Sequence, residues 1–261
     1  MKVTESIAEL RRICQYSRSN NYGKRPWPER NLTRPISIYL TKLFLVMGIS
    51  ANQASLIGLI IAVIGGAFLT FPSPAYWLIG IVLLLLCEVI GMVDGEIARY
   101  TKSASPTGAY WNSIPEQFVS LYTPICMSFG LYSVFHSIYP FIFGFVAVIS
   151  ISLNTFAILL PYPILRDKGL PSEALGSDKA GRLEGNTSII IKYGRFFNHF
   201  TILLLVFLVG TILDYFISPL VIGALSFNAR YILFAIYTLV WLASAVRNVY
   251  LPLRTGVTLR L

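Results

Sequence analysis

Six stretches of this chain are mostly apolar over about 20 residues each, the length an α-helix needs to cross roughly 30 Å of hydrocarbon. They fall at about 53–72, 76–98, 108–135, 138–162, 198–217 and 229–250. No water reaches a stray N–H or C=O in a bilayer core, so such runs fold as helices that close their hydrogen bonds internally. Composition agrees: of 261 residues, 55% are hydrophobic and 13% charged, about half the charged share of a soluble domain. The expected fold class is an all-α integral membrane protein with six transmembrane helices.

Lys and Arg number 21 against 12 Asp and Glu, a formal net charge of +9. These cations cluster between the apolar runs instead of covering one soluble face, which argues against nucleic-acid binding. Their placement follows the positive-inside rule. Nine precede the first span, two follow the second, six lie from Arg166 to Arg195 and three end the chain, leaving only Arg230 on the other side. Both termini are therefore expected in the cytoplasm of a multi-pass inner or plasma membrane protein. The start, MKVTESIAELRRI, has no apolar core of a cleaved signal peptide, so it is expected to stay on that side. The sequons at Asn31 and Asn186 share that side and should stay unmodified. Cys14, Cys87 and Cys126 lack metal-ligand spacing and read as packing thiols.

Residues 35–47 open with Pro35 and mix apolar residues with Ser37, Thr41 and Lys42, the pattern of an amphipathic helix lying in the cytoplasmic interface. This divides the chain into an N-terminal segment with interfacial helix, 1–47, and a transmembrane domain, 48–261. The Arg-rich stretch ahead of Pro35 either fixes orientation or meets anionic membrane lipids. Residues 161–193 are rich in turn formers and read as a flexible cytoplasmic loop. No internal repeat points to a secondary transporter.

An ionisable group at membrane depth costs about 2.5–3.5 kcal/mol on insertion scales, so the few present are candidates for function. Glu88, Asp94, Glu96 and Arg99 stand near the cytoplasmic end of the second span, and Asn112, Glu116, Gln117 and Ser120 near that of the third. Asn112, Glu116 and Ser120 are four apart and share one helix face. The short connection 100–107 makes the two helices neighbours and brings Asp94 towards Asn112 and Glu116. Oxygen ligands on facing helices suit a hard divalent cation such as Mg²⁺ or Mn²⁺. Glu96 and Arg99 read equally well as interfacial residues, and Glu88 as a protonated or paired acid.

The run Gly91-Met-Val-Asp94-Gly95-Glu-Ile-Ala98-Arg99, then eight residues, then Gly108-Ala-Tyr-Trp-Asn112-Ser-Ile-Pro-Glu116 resembles the signature of the CDP-alcohol phosphotransferases, D-x-x-D-G-x-x-A-R-x8-G-x-x-x-D-x-x-x-D. Upstream, Gly48-Ile-Ser-Ala-Asn52-Gln-Ala-Ser55-Leu resembles the segment that opens the first span in that family, and Arg34-Pro-Ile-Ser37 its interfacial helix. The resemblance implies a transferase that replaces CMP in a CDP-linked alcohol or CDP-diacylglycerol with an acceptor hydroxyl, using two divalent metals at the cytoplasmic surface. It implies metal ligands at Asp94, Asn112 and Glu116. It implies a nucleotide cradle at Asn52, Asp94, Gly95, Ala98, Arg99 and Gly108, with Glu116 as general base. The Asp94-to-Arg99 variant looks like the subgroup that handles polyol phosphates as well as lipids.

Two of the four motif carboxylates are replaced: Gly91 stands at the first position and Asn112 at the third. The site charge falls from about −4 to about −2, which weakens the case for two bound metals. Glu88 lies one helical turn before Gly91, about 9 Å along the axis from Asp94, too far to share a ligand shell without a kink. The chain thus reads as a transferase with an altered site. The alternative is an inactive relative that binds nucleotide or lipid or serves a partner enzyme. The motif spacing argues against a channel. Arg182, Lys192, Arg195 and Arg247 are candidates for an acceptor phosphate, although the same residues satisfy the positive-inside rule. Asn154 reads as a link to a neighbouring helix. A homodimer is compatible with the aromatic and small residues in the spans.

Overall fold

The structure is a computed structural model that describes residues 5–16, 27, 29–103, 106–159, 200–217, 220–222 and 225–255. A short helix α1 (Ile7–Arg11) continues through one wider turn, Arg12–Tyr16, and α2 spans Arg34–Val46. The apolar runs then give α3 (Ala51–Leu69), α4 (Pro74–Tyr100), α5 (Pro106–Phe135), α6 (Tyr139–Leu159), α7 (Phe200–Phe216) and α8 (Ala229–Thr255).

Five of these helices are long and apolar enough to cross a membrane, with crossing segments in α3, α4, α5, α6 and α8. Helix α7 has 17 residues, at the short end of the spanning range. Large apolar side chains such as Ile60, Val82, Phe145, Val209 and Leu239 are exposed on the outside of the bundle. Water would penalise that arrangement and lipid does not. The chain is an integral membrane protein.

Within this all-α fold there is one short addition to the helices. Residues Leu220–Ile222 (β1) and Leu225–Phe227 (β2) pair antiparallel between α7 and α8, with Leu220 opposite Phe227.

Local chemistry sets the helix ends. Gly48, at φ +73°, stops α2, and the N–H of Ile49 reaches the carbonyl of Phe44 at 2.9 Å. That is the left-handed cap glycine takes without a Cβ penalty. Two residues on, the Ser50 hydroxyl accepts from the Gln53 N–H while the Gln53 side chain accepts from the Ser50 N–H, starting α3 with a reciprocal cap. The turn Gly48-Ile49-Ser50 thereby fixes α2 at the end of the bundle that carries Asp94.

Helices α3 and α4 meet closely at Gly65 and Gly80, where a Cβ added to Gly80 would lie 2.6 Å from the Gly65 carbonyl oxygen. Small residues that let backbones approach are the usual source of helix affinity in lipid. The main core packs Trp77, Ile81, Leu84, Met127, Phe207 and Phe234 in the bundle. A second core joins Leu10, Cys14, Ile38, Ala54, Val93 and Ile97, tying α1 and α2 to the ends of α3 and α4.

At the opposite end Arg230, the exception to the charge pattern, is buried. Its Nε donates to Asp214 Oδ2 at 2.8 Å, one terminal nitrogen donates to the Pro72 carbonyl at 3.0 Å, and the guanidinium lies 5.0 Å from the Trp77 ring centre. Asp214 also accepts the Ala229 and Arg230 N–H groups, capping α8. The Arg230 charge is thus paired within the fold.

Candidate active site

Helices α4 and α5 are joined by a short turn yet touch only sparsely, while α3 packs against both. Between them lies a cleft of about 140 Å³ whose lining includes Ser55, Glu88, Gly91, Asp94, Pro115 and Glu116. Gly91 helps to keep it open: a Cβ added there would meet nothing within 4 Å. The carboxylate missing from the first motif position therefore leaves space that no side chain among the described residues fills.

Asp94 is buried at 5% exposure and accepts the Ser55 hydroxyl on Oδ2 at 2.6 Å. Glu88, one turn before Gly91, accepts the Thr201 hydroxyl of α7 at 2.9 Å. Both acids are thus held by hydroxyls from neighbouring helices, as a buried charge or polar group requires. Glu116 is exposed and comes from the other wall. Spacing along α4 had set Glu88 aside, yet it lines the same cleft as Asp94 and Glu116.

Two residues on from Asp94 the helix has turned by about 200°, so Glu96 points away from the cleft. It is fully buried and accepts hydrogen bonds from Gln15 Nε2 at 2.8 Å, the Ser37 hydroxyl at 2.7 Å and the Thr41 hydroxyl at 2.6 Å. Arg99 donates through Nε to the Cys14 carbonyl at 2.6 Å. Its guanidinium folds back along α4: Nη1 lies 3.3 Å from where a Cβ on Gly95 would stand. Gly95 makes room for the arginine as well as for any ligand.

The remaining candidates are spread more widely. Asn52 is exposed in the first turn of α3, Ala98 is half-buried on α4, and Gly108 sits near the start of α5. Asn112 belongs to the backbone of α5, and its side chain lies outside those described. Arg182, Lys192 and Arg195 lie outside the described residues. Arg247 donates to Asn248, whose amide donates to Asn154 on α6, so this arginine belongs to a polar link between α6 and α8 and does not line the cleft. Of the donors to Asp94, Glu88 and Glu96, Ser55 and Ser37 fall in the segments that resemble the family's, whereas Thr201, Gln15 and Thr41 carry no motif signal of their own. Only their partners mark them.

Among the described residues no group of three or more His, Cys, Asp or Glu could hold a metal ion by itself. The donor set is nonetheless of the hard-oxygen kind. A Mg²⁺-type ion is often held by one or two carboxylates, with substrate phosphate and water completing its shell. Asp94 and Glu116 fit that arrangement, a metal that arrives with a phosphorylated ligand.

No curated protein matches the chain. Among solved structures, the fold is similar to that of phosphatidylinositol phosphate synthase from Mycobacterium tuberculosis, crystallised with manganese and citrate. The TM-score is 0.50 at 16% identity, covering 82% of this chain and 88% of that one. At that identity the likeness speaks for the fold. The profile of the CDP-alcohol phosphatidyltransferases matches residues 48–226, well over half of the sequence. The chain belongs to the CDP-alcohol phosphatidyltransferase family, membrane transferases of phospholipid biosynthesis.

Proposed function

We propose that this protein transfers a substituted phosphate from a CDP-linked alcohol or CDP-diacylglycerol to the hydroxyl of a lipid or polyol-phosphate acceptor, releasing CMP. One observation carries the reading: Asp94 of α4 and Glu116 of α5 line a common cleft at the end of the bundle.

In this reading Asp94 and Glu116, with Asn112, would hold Mg²⁺ or Mn²⁺. The metal supplies charge neutralisation of the leaving CMP. Asn52, Gly95, Ala98, Arg99 and Gly108 form the nucleotide cradle, with the Arg99 fork suited to a phosphate. Glu116 takes the proton from the acceptor hydroxyl. The acceptor oxygen then bonds to the β-phosphorus, whose bond to the bridging oxygen breaks. Arg182, Lys192 and Arg195 are assigned to an acceptor phosphate, and Arg247, held in the link between α6 and α8, is left out of that set.

The same proposal counts α7 as a sixth span and places the Asp94 end and both termini in the cytoplasm. It treats 1–47 as a cytoplasmic segment with α2 in the interface. Ile36, Tyr39, Leu43 and Val46 support that placement, since they are exposed on one stripe of α2. It also allows a homodimer.

A second reading, an inactive relative that keeps the nucleotide site, draws support from the open space at Gly91. CMP release separates the two. With Mg²⁺ or Mn²⁺ and a panel of CDP-alcohols and acceptors, the first reading expects metal-dependent CMP. It also expects at least about a 100-fold loss in Glu116→Gln, the usual contribution of a general base. CDP binding without turnover for any pair supports the second.

A further inference from the structure

The face of α4 behind the cleft is gripped by residues that precede the family match at residue 48. Leu10 and Cys14 are buried at 0% and 2% exposure among Ile38, Val93 and Ile97, which docks the Ser6–Tyr16 segment firmly. From it Gln15 uses one side-chain amide as a bridge: Nε2 donates to Glu96 on α4 and, at 3.0 Å, to the Arg34 carbonyl on α2. One residue earlier, the Cys14 carbonyl takes the Arg99 Nε–H.

Glu96 and Arg99 are three apart and share a helix face, while Asp94 looks into the cleft. The segment therefore holds both the buried acid and the arginine that frame the signature turn. A guanidinium is planar, so fixing its Nε–H on one carbonyl sets the plane in which the two terminal nitrogens lie. Here those nitrogens lie back along Gly95, one residue after Asp94 in the chain.

We propose that the Ser6–Tyr16 segment is a clasp, in which Gln15 on Glu96 and the Cys14 carbonyl on Arg99 orient the Arg99 guanidinium for a nucleotide phosphate. Gln15 and Glu96 are positioning residues in this account. They act through Arg99 without touching the ligand. The inference rests on the reading of Arg99 as part of the nucleotide cradle.

The test uses the full chain in detergent and two readouts, CDP affinity in Mn²⁺ by calorimetry and N-ethylmaleimide modification of Cys14 by peptide mass spectrometry. Gln15→Ala is expected to raise the Cys14 labelling rate several-fold and to weaken CDP binding by about tenfold. In an Arg99→Ala background the same substitution should change CDP binding by less than about twofold, because residues acting as a unit are not additive. Gln15→Glu, which sets a second carboxylate against Glu96, should show the same pattern more strongly.

The clasp is overturned if Gln15→Ala exposes Cys14 with CDP affinity intact, if it leaves both readouts unchanged, or if its loss is as large without Arg99. A parent protein that binds no CDP overturns the nucleotide reading, and the clasp with it. A parent that binds while Gln15→Ala fails the pattern overturns the clasp alone.

Discussion

Ser55 donates its hydroxyl to Oδ2 of Asp94 across 2.6 Å, joining the second turn of α3 to the signature turn of α4. A hydrogen bond to a charged group contributes about 1.5–3 kcal/mol. Ser55→Ala is therefore expected to weaken metal-dependent CDP binding by about tenfold or more, with thermal stability little changed. Calorimetry on the purified variant checks this, and an unchanged affinity would detach Ser55 from the site.

The space at Gly91 makes a gain-of-function test available. A Cβ there meets nothing within 4 Å, so Gly91→Asp should fold normally and return the first motif carboxylate. With an added charged oxygen donor, the variant is expected to bind Mn²⁺ at least about tenfold more tightly than the parent in the absence of nucleotide. Electron paramagnetic resonance of free Mn²⁺ reads this directly. No gain would mean that the cleft does not place this residue at the metal.

Arg230 provides a stability test remote from the cleft. Its ion-pair partner Asp214 is 8% exposed at the side chain, so Arg230→Ala leaves a buried charge unmatched, at a cost of about 3–5 kcal/mol. A fall in Tm on the order of 10 °C in detergent is expected. Arg230→Lys should lose less because it keeps the charge, though it cannot reproduce the fork that reaches both Asp214 and Pro72. CDP affinity of the folded fraction should not move in either variant.

Cys14 predicts a pH dependence outside the membrane spans. Burial, with the nearby Glu96 carboxylate, pushes its thiol up to about 11, above the ordinary value of 9.0. The docked segment holds the proton that a released segment gives up, so docking is at full strength below about pH 9 and weakens as pH rises towards 11. The half-point of the Cys14 alkylation profile should accordingly lie near 11 in the parent and shift downward in Gln15→Ala. Coincident profiles would contradict the docked geometry.

The apolar runs and the signature spacing made the bundle and the cleft-facing acids legible in sequence, because helix period and hydrocarbon thickness are local quantities. The short paired strands Leu220–Ile222 and Leu225–Phe227 are not legible in sequence, since a short apolar stretch beside a glycine reads equally as a loop. Glu96 shows the same limit in the site. Its sequence leaves the functional and the interfacial reading equally open, and nothing in its neighbours along the chain marks Gln15, Ser37 and Thr41 as its partners. Glu88 was judged by rise along one helix, whereas the cleft it lines is shaped by α3, α4, α5 and α7 together.

The central claim is that the cleft between α4 and α5 holds a nucleotide together with a divalent cation. Calorimetric titration of CDP into the purified protein, with and without Mn²⁺, for the parent and for Asp94→Ala, tests it most directly. The account predicts that the parent binds CDP only with Mn²⁺ and that Asp94→Ala abolishes this binding. Binding that ignores the metal, survives in Asp94→Ala or is absent from the parent would contradict it.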